Sequence, residues 1–192
     1  MLAHIRPALV SMGLFTVLLG VAYPLAVTGV AQAAFPAQAG GSLVRDAGGK
    51  VVGSALIGQV FTAPGYFHGR PSAAGNGYDA GASSGSNMGP LNEKLIEREK
   101  TDATALRAEN PGAAIPADAV TTSGSGLDPD ISPANARFQI PRIAKARGVP
   151  EGQVSAVVEA QVLPPLLGFI GQPRVNVLAL NRALDARFPK GG

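Results

Sequence analysis

The sequence predicts an α+β protein in which one N-terminal transmembrane helix is followed by a small domain with a short sheet and about four helices. Three observations carry that expectation. No charged side chain occurs from Pro7 to Val44. The pairs Leu43-Val44 and Val51-Val52 flank the turn-forming stretch Asp46-Ala47-Gly48-Gly49, a hairpin pattern. Beyond Pro90, apolar residues recur at helical spacing in separate stretches bounded by proline, glycine or a capping side chain.

The apolar core ALVSMGLFTVLLGVAYPLAVTGVA, residues 8–31, is long enough to cross the hydrocarbon layer as a helix, leaving residues 1–7 and 32–192 on its two sides. Pro24 removes one backbone donor, so a kink or a partner helix is expected at its level. Gly13, Thr16 and Gly20 recur at spacings of three and four and form a flat strip for packing against partner membrane helices. Two other readings compete. A cleaved signal peptide, with His4 and Arg6 at its charged end and Ala31-Gln32-Ala33 as processing site, conflicts with the length of the apolar run. A buried core helix conflicts with the lack of any polar face. Charge counting leaves the orientation open, because Arg6 precedes the helix while Arg45 and Lys50 follow it only at a distance.

After the 43–53 hairpin comes SALIGQVF, residues 54–61, where Gly58 leaves a strand or a short helix open. Residues 62–90 read as one loop with Tyr66, Phe67, His68, Arg70 and Tyr78 embedded in it. A structureless stretch of that length inside a compact domain is usually functional. The first helix of the domain follows Pro90, with a stripe of Leu91, Leu95, Ala103 and Leu106, and Pro111 bounds it. Ser132-Pro133 starts the second, which Pro141 is expected to break or restart before Gly148. Past Pro150, Val154, Val157, Val158, Gln161 and Val162 predict a third, stopped by Pro164-Pro165. Asn176 caps the last, with Val177, Leu180, Leu184 and Phe188 on one face.

Function classes narrow from composition. The net charge of +3 comes with only 15% charged residues and no Lys/Arg run, which excludes nucleic acid as a partner. There is no cysteine, hence no thiolate nucleophile, disulfide or Cys-based metal site. Two histidines, His4 and His68, are too few for a His-rich metal centre. Two similar turns, SGSNMGP with Ser84, Ser86 and Asn87, and SGSGLDP with Ser123, Ser125 and Asp128, each lead toward a helix. Their residue types suit turns and helix starts. A functional reading would make them an anion cradle, although the absence of G-x-x-x-x-G-K-[ST] excludes a conventional P-loop. Asp128 and Asp130 form a carboxylate pair that would suit a membrane-anchored hydrolase built on residues 123–133. Their Pro-bounded turn, without a neighbouring histidine, favours capping instead. Tyr66, Phe67, His68 and Arg70 fit either a protein interface or a cover over a small core. No catalytic residue and no metal ligand is assigned.

Several long blocks also resemble one family: VTGVAQAAFPAQAGGSLV (27–44), GSALIGQVF (53–61), YFHGRPSAA (66–74), SSGSNMGPLN (83–92), DAVTTSGSGLDPDISPANARFQIPRIAKARG (118–148) and LGFIGQPRVNVLALNRALD (167–185) are similar to the C chain of the Kdp potassium-transporting ATPase. The resemblance implies an accessory subunit of a bacterial, high-affinity, ATP-driven potassium importer. Its partners would be a channel-like A subunit that carries the potassium, an ATP-hydrolysing B subunit and a small single-helix F subunit. It further implies a single-pass protein of the cell inner membrane, with a cytoplasmic N-terminus and a periplasmic C-terminal domain, and retention of the N-terminal helix. The family's C chain is described as a catalytic chaperone that raises the ATP affinity of the B subunit through a ternary complex with ATP. This chain lacks an intact Leu-Ser-Gly-Gly-Gln motif. About 30 Å of hydrocarbon would separate an outer domain from cytoplasmic ATP. Assembly and stabilisation near the outer potassium entrance is therefore the role expected from the physics.

Overall fold

The computed structural model describes residues 2–189 of a chain that divides into two units, Met1–Val52 and Gly53–Gly192. The first unit begins with α1 (Leu2–Val17), a π-helical segment (Leu18–Ala22) and α2 (Tyr23–Ala34) in unbroken succession. Ala3–Ala34 spans 32 residues, long and apolar enough to cross a membrane; its most apolar stretch of 18 residues has a mean hydropathy of 2.0, and none of that stretch is buried. The disturbance expected at Pro24 takes the form of a widened turn just before it. The Tyr23 N–H reaches five residues back to the Leu18 carbonyl rather than four. Past the short α3 (Pro36–Ala39), β1 (Leu43–Arg45) and β2 (Val51–Ser54) pair as the anticipated hairpin. The Asp46 carboxylate fixes its turn by accepting from Gly48 N–H at 2.9 Å and Lys50 N–H at 3.0 Å.

In the second unit, the chain leaves β2 at Ser54, and residues 55–61 form neither a longer strand nor a helix. Ser54 bridges to Ile57 across a tight turn, and the Gly58 N–H donates to the Leu127 carbonyl at 2.8 Å. A Cβ on Gly58 would lie 2.5 Å from the Asp128 carbonyl oxygen, so glycine is what permits this approach. The helices α4 (Glu93–Glu109), α6 (Pro133–Arg147), α7 (Glu151–Ala160) and α8 (Val177–Arg187) account for the four expected, with the single turn α5 (Ala117–Val120) added. Side chains of Asn92, Ser132 and Asn176 cap α4, α6 and α8. Leu91 lies ahead of α4 and is 89% exposed, so it does not belong to that helix's inner stripe.

A three-stranded antiparallel sheet joins the distant parts of the chain: β3 (Asp130–Ile131), β4 (Val162–Leu163) and β5 (Arg174–Asn176), in the order β3-β5-β4. Asp130 pairs with Asn176, and Val162 with Val175. The core lies where this sheet meets α6, α7 and α8, around Ile131, Ile143, Val158, Val175 and Leu180. Two expectations are corrected here. First, α6 runs straight through Pro141. A proline inside a helix costs about 3 kcal/mol, but Ile140 and Ile143 on either side of it are buried at about 1.5–3 kcal/mol each. Core packing therefore outweighs the lost hydrogen bond. Second, α7 ends at Ala160, short of Pro164, because Val162 and Leu163 leave it to pair with β5.

Candidate functional site

The long loop is held by side chains rather than by regular structure. Phe67 is wholly buried, and the side-chain amide of Asn181 clamps its backbone on both sides: the Phe67 N–H donates to Oδ1 at 2.8 Å and Nδ2 donates to the Phe67 carbonyl at 2.9 Å. Gln139 repeats the device one residue on, taking the His68 N–H at 2.8 Å and donating to its carbonyl at 3.1 Å. Two arginines of α6 complete the strap. Arg142 donates to the Pro64 and Tyr66 carbonyls and to Glu109. Arg147 donates to Gly65 and Asp185, and its guanidinium stacks 5.0 Å from the centre of the Tyr66 ring. The Tyr66 hydroxyl closes the cluster on Asp185 at 3.0 Å. Irregular backbone thus finds its obligatory partners on α6 and α8.

His68 lines an open cleft with Arg70, Asp102, Glu109 and Arg142, between the loop, α4 and α6. Its Nε2 lies 3.2 Å from the Ala63 carbonyl. Burial first, and the Arg142 charge second, hold its pKa below the ordinary value.

The two Ser/Gly turns are brought together, but around each other. The Ser84 N–H and the Ser83 hydroxyl both donate to the Ser125 carbonyl, at 3.0 and 2.9 Å. The Leu127 N–H donates to Ser125 Oγ at 3.1 Å, and Gly126 N–H to the carbonyl of the buried Ser123. Ser86 and the left-handed Asn87 continue the first turn at the surface. Tyr78 spans the loop, its hydroxyl donating to the Arg70 carbonyl at 2.7 Å. Burial first, then the Asp128 charge, pushes that phenol up to about 12.

Both aspartates are occupied. Asp128 accepts the Asp130 N–H on Oδ1 at 3.0 Å and pairs with Arg70 Nη1 through Oδ2 at 2.9 Å. Asp130 pairs with Arg174 at 3.0 Å and accepts from the Asn176 side chain at 3.2 Å. Burial is the main cause raising the Asp130 pKa. The anticipated turn role of Asp128 is thus visible in its Asx contact, while Asp130 instead stitches β3 to β5. Asp118 accepts from both the backbone and the hydroxyl of Ser132, reinforcing the start of α6. Among the described residues, no group of three or more His, Asp or Glu side chains is placed to hold a metal ion.

Sequence reading singled out the loop residues but missed their holders, Gln139, Arg142, Arg147 and Asn181. One signal was available: Asn181 sits beside Leu180 and three residues before Leu184, a lone amide on the apolar face of α8. The membrane-helix residues Gly13, Thr16 and Gly20 are exposed along their helix. Nothing approaches a Cβ built on either glycine.

The family model described as "K+-transporting ATPase, c chain" matches residues 5–186. The chain is 85% identical over 189 residues to the potassium-transporting ATPase KdpC subunit of Caulobacter vibrioides strain NA1000 / CB15N, covering 98% of this chain and 96% of that protein. It is 77% identical over 192 residues to the corresponding subunit of Caulobacter sp. strain K31, covering 100% and 98%. It is 61% identical over 191 residues to that of Beijerinckia indica, covering 98% and 96%.

Proposed function

The chain belongs to the KdpC family, the c chains of K+-transporting ATPases, and from that premise we propose that it is a non-catalytic accessory subunit that assembles and stabilises an ATP-driven potassium importer. In this reading a channel-like A subunit carries the ion, a B subunit hydrolyses ATP and a small F subunit completes the complex. The N-terminal helix crosses the bacterial inner membrane with its start in the cytoplasm, and the second unit faces outward.

One observation beyond family membership supports the non-catalytic role. The side chains that would have carried chemistry are committed to holding the fold. Asp128 is taken by Arg70 and a backbone N–H, Asp130 by Arg174 and Asn176, and His68 faces a carbonyl. A hydrolase or an anion-binding module on residues 123–133 finds no support in that arrangement. Phe67 serves the core, while Tyr66, His68, Arg70 and the 84–87 and 123–128 turns remain candidates for contact with other subunits. With the domain outside, any rise in ATP affinity of the B subunit is transmitted by assembly, since about 30 Å of hydrocarbon lies between this domain and cytoplasmic nucleotide.

The test is purification of the membrane complex with and without this chain. The expected result is loss of assembly and of potassium-stimulated ATP hydrolysis in its absence. An unchanged complex would sink the proposal.

A further inference from the structure

Between β4 and β5 the chain makes a tight hairpin, PPLLGFIGQP, whose apolar side chains stand in solvent. Leu166 is 65% exposed, Leu167 and Phe169 76% each, and Ile170 49%. The tip is nevertheless rigidly built. Leu166 N–H donates to the Ile170 carbonyl at 3.0 Å and Ile170 N–H returns to Leu166 at 2.9 Å. Gly168 N–H donates to Pro165 at 3.0 Å. Leu167 and Gly168 both hold left-handed backbone, at φ 55° and 82°. For Gly168 that conformation is free of steric cost, but for Leu167 it is strained. Leu167 is therefore disfavoured twice in the free chain, by its backbone and by the water around its side chain.

We propose that the hairpin tip Leu166–Ile170 is a preformed apolar plug that seats in a concave apolar surface of a partner subunit. This rests on the assembly role above and assigns it to particular residues. Two observations favour a protein groove over the lipid surface. No charged side chain occurs from Ala160 to Pro173, and the first cation beyond, Arg174, is already paired with Asp130. Elements that lie on membranes surround their apolar side chains with lysines and arginines for the headgroups. The fixed backbone is the second. Lipid chains adapt to any shape, whereas a shaped groove rewards a ligand ordered in advance. An uncharged, aromatic and aliphatic knob also matches the apolar centre of a permanent interface, where a few side chains dominate affinity.

The experiment co-expresses the full-length chain with its partner subunits and compares Leu167→Asn, Phe169→Ser and, as a control exposed apolar position, Leu56→Ser. The expected result for Leu167→Asn is a melting temperature of the full chain in detergent equal to or above wild type. Recovery with the partner subunits should nonetheless fall about tenfold. Phe169→Ser loses recovery similarly and Leu56→Ser does not. Wild-type recovery of both tip variants overturns the inference and leaves the assembly role standing. Absence of recovery for the wild-type chain removes the assembly role and this inference with it. The chain has no tryptophan, so Phe169→Trp places a single reporter at the tip. Quenching of that tryptophan by brominated phosphatidylcholine in vesicles holding the full-length chain without partner subunits would assign the tip to lipid and overturn the proposal.

Discussion

At Asp128 a chemical role and a structural one predict opposite outcomes. Asparagine keeps an acceptor for the Asp130 N–H and loses only the partly buried charge pair with Arg70, a cost of about 1 kcal/mol. Alanine removes both contacts and costs about 1–3 kcal/mol. Urea unfolding of the full-length chain should rank wild type, Asp128→Asn and Asp128→Ala in falling stability, with potassium-stimulated ATP hydrolysis of the assembled Asn variant near wild type. Lost turnover at intact stability would make Asp128 a functional charge. His68 and Asp130 give pH dependences of opposite sign. The lowered His68 pKa makes its contribution complete above about pH 6.5, the unfolded value, and lost as pH falls toward the folded one. The raised Asp130 pKa makes its contribution complete below about pH 4 and lost as pH rises through the folded value. Stability measured downward from neutral pH should therefore first decline, and His68→Gln should flatten that limb. An unchanged slope in His68→Gln would show that His68 is not its source.

Elements were legible where their signals are local. The caps Asn92, Ser132 and Asn176 act within three residues of themselves, so their side-chain types mark helix starts without tertiary knowledge. The strands β3, β4 and β5 were not legible, because two or three residues leave no alternation to read and their pairing is set by distant chain. The loop clamps escaped for the same reason: Gln139 reaches His68 across 71 positions and Asn181 reaches Phe67 across 114. Pro141 misled because its penalty is local while the compensating burial is not. Two glycines separate local from tertiary demands in one measurement. Gly148 ends α6 at φ 66° with open space around a built Cβ, so Gly148→Ala should cost about 1 kcal/mol from backbone conformation alone. Gly126, at φ 67°, would place its Cβ 2.6 Å from both the Ala74 nitrogen and the Ser84 oxygen, and these are backbone atoms. Gly126→Ala should cost about 3 kcal/mol or more and loosen the paired turns. Equal melting temperatures for the two variants would refute this account of the 84–87 and 123–126 contact.

On the scale of the whole molecule, the proposed assembly role makes the membrane helix decide whether the second unit reaches partner subunits. Its 32 residues extend about 48 Å as a helix, well beyond a hydrocarbon layer of about 30 Å. The two ends therefore lie among headgroups while Leu18, at the middle, meets the apolar centre. That position also opens the π-helical segment that accommodates Pro24, and the residue is half exposed along the helix. An arginine there costs about 2.5–3.5 kcal/mol on insertion scales, with no nearby acidic side chain in the run to offset it. Near the start of the helix the same charge can extend to the headgroups. Leu18→Arg should therefore remove the chain from the purified membrane complex, whereas Ile5→Arg, beside the existing Arg6, should be recovered almost as wild type. The readout is the amount of this chain in membranes and in the isolated complex, with ATP hydrolysis normalised to assembled material. The hydrolysis rate per assembled complex should be unchanged, because in this account the helix supplies placement and not chemistry. Leu18→Arg recovered in full with reduced turnover would give the helix a part in the transport cycle instead.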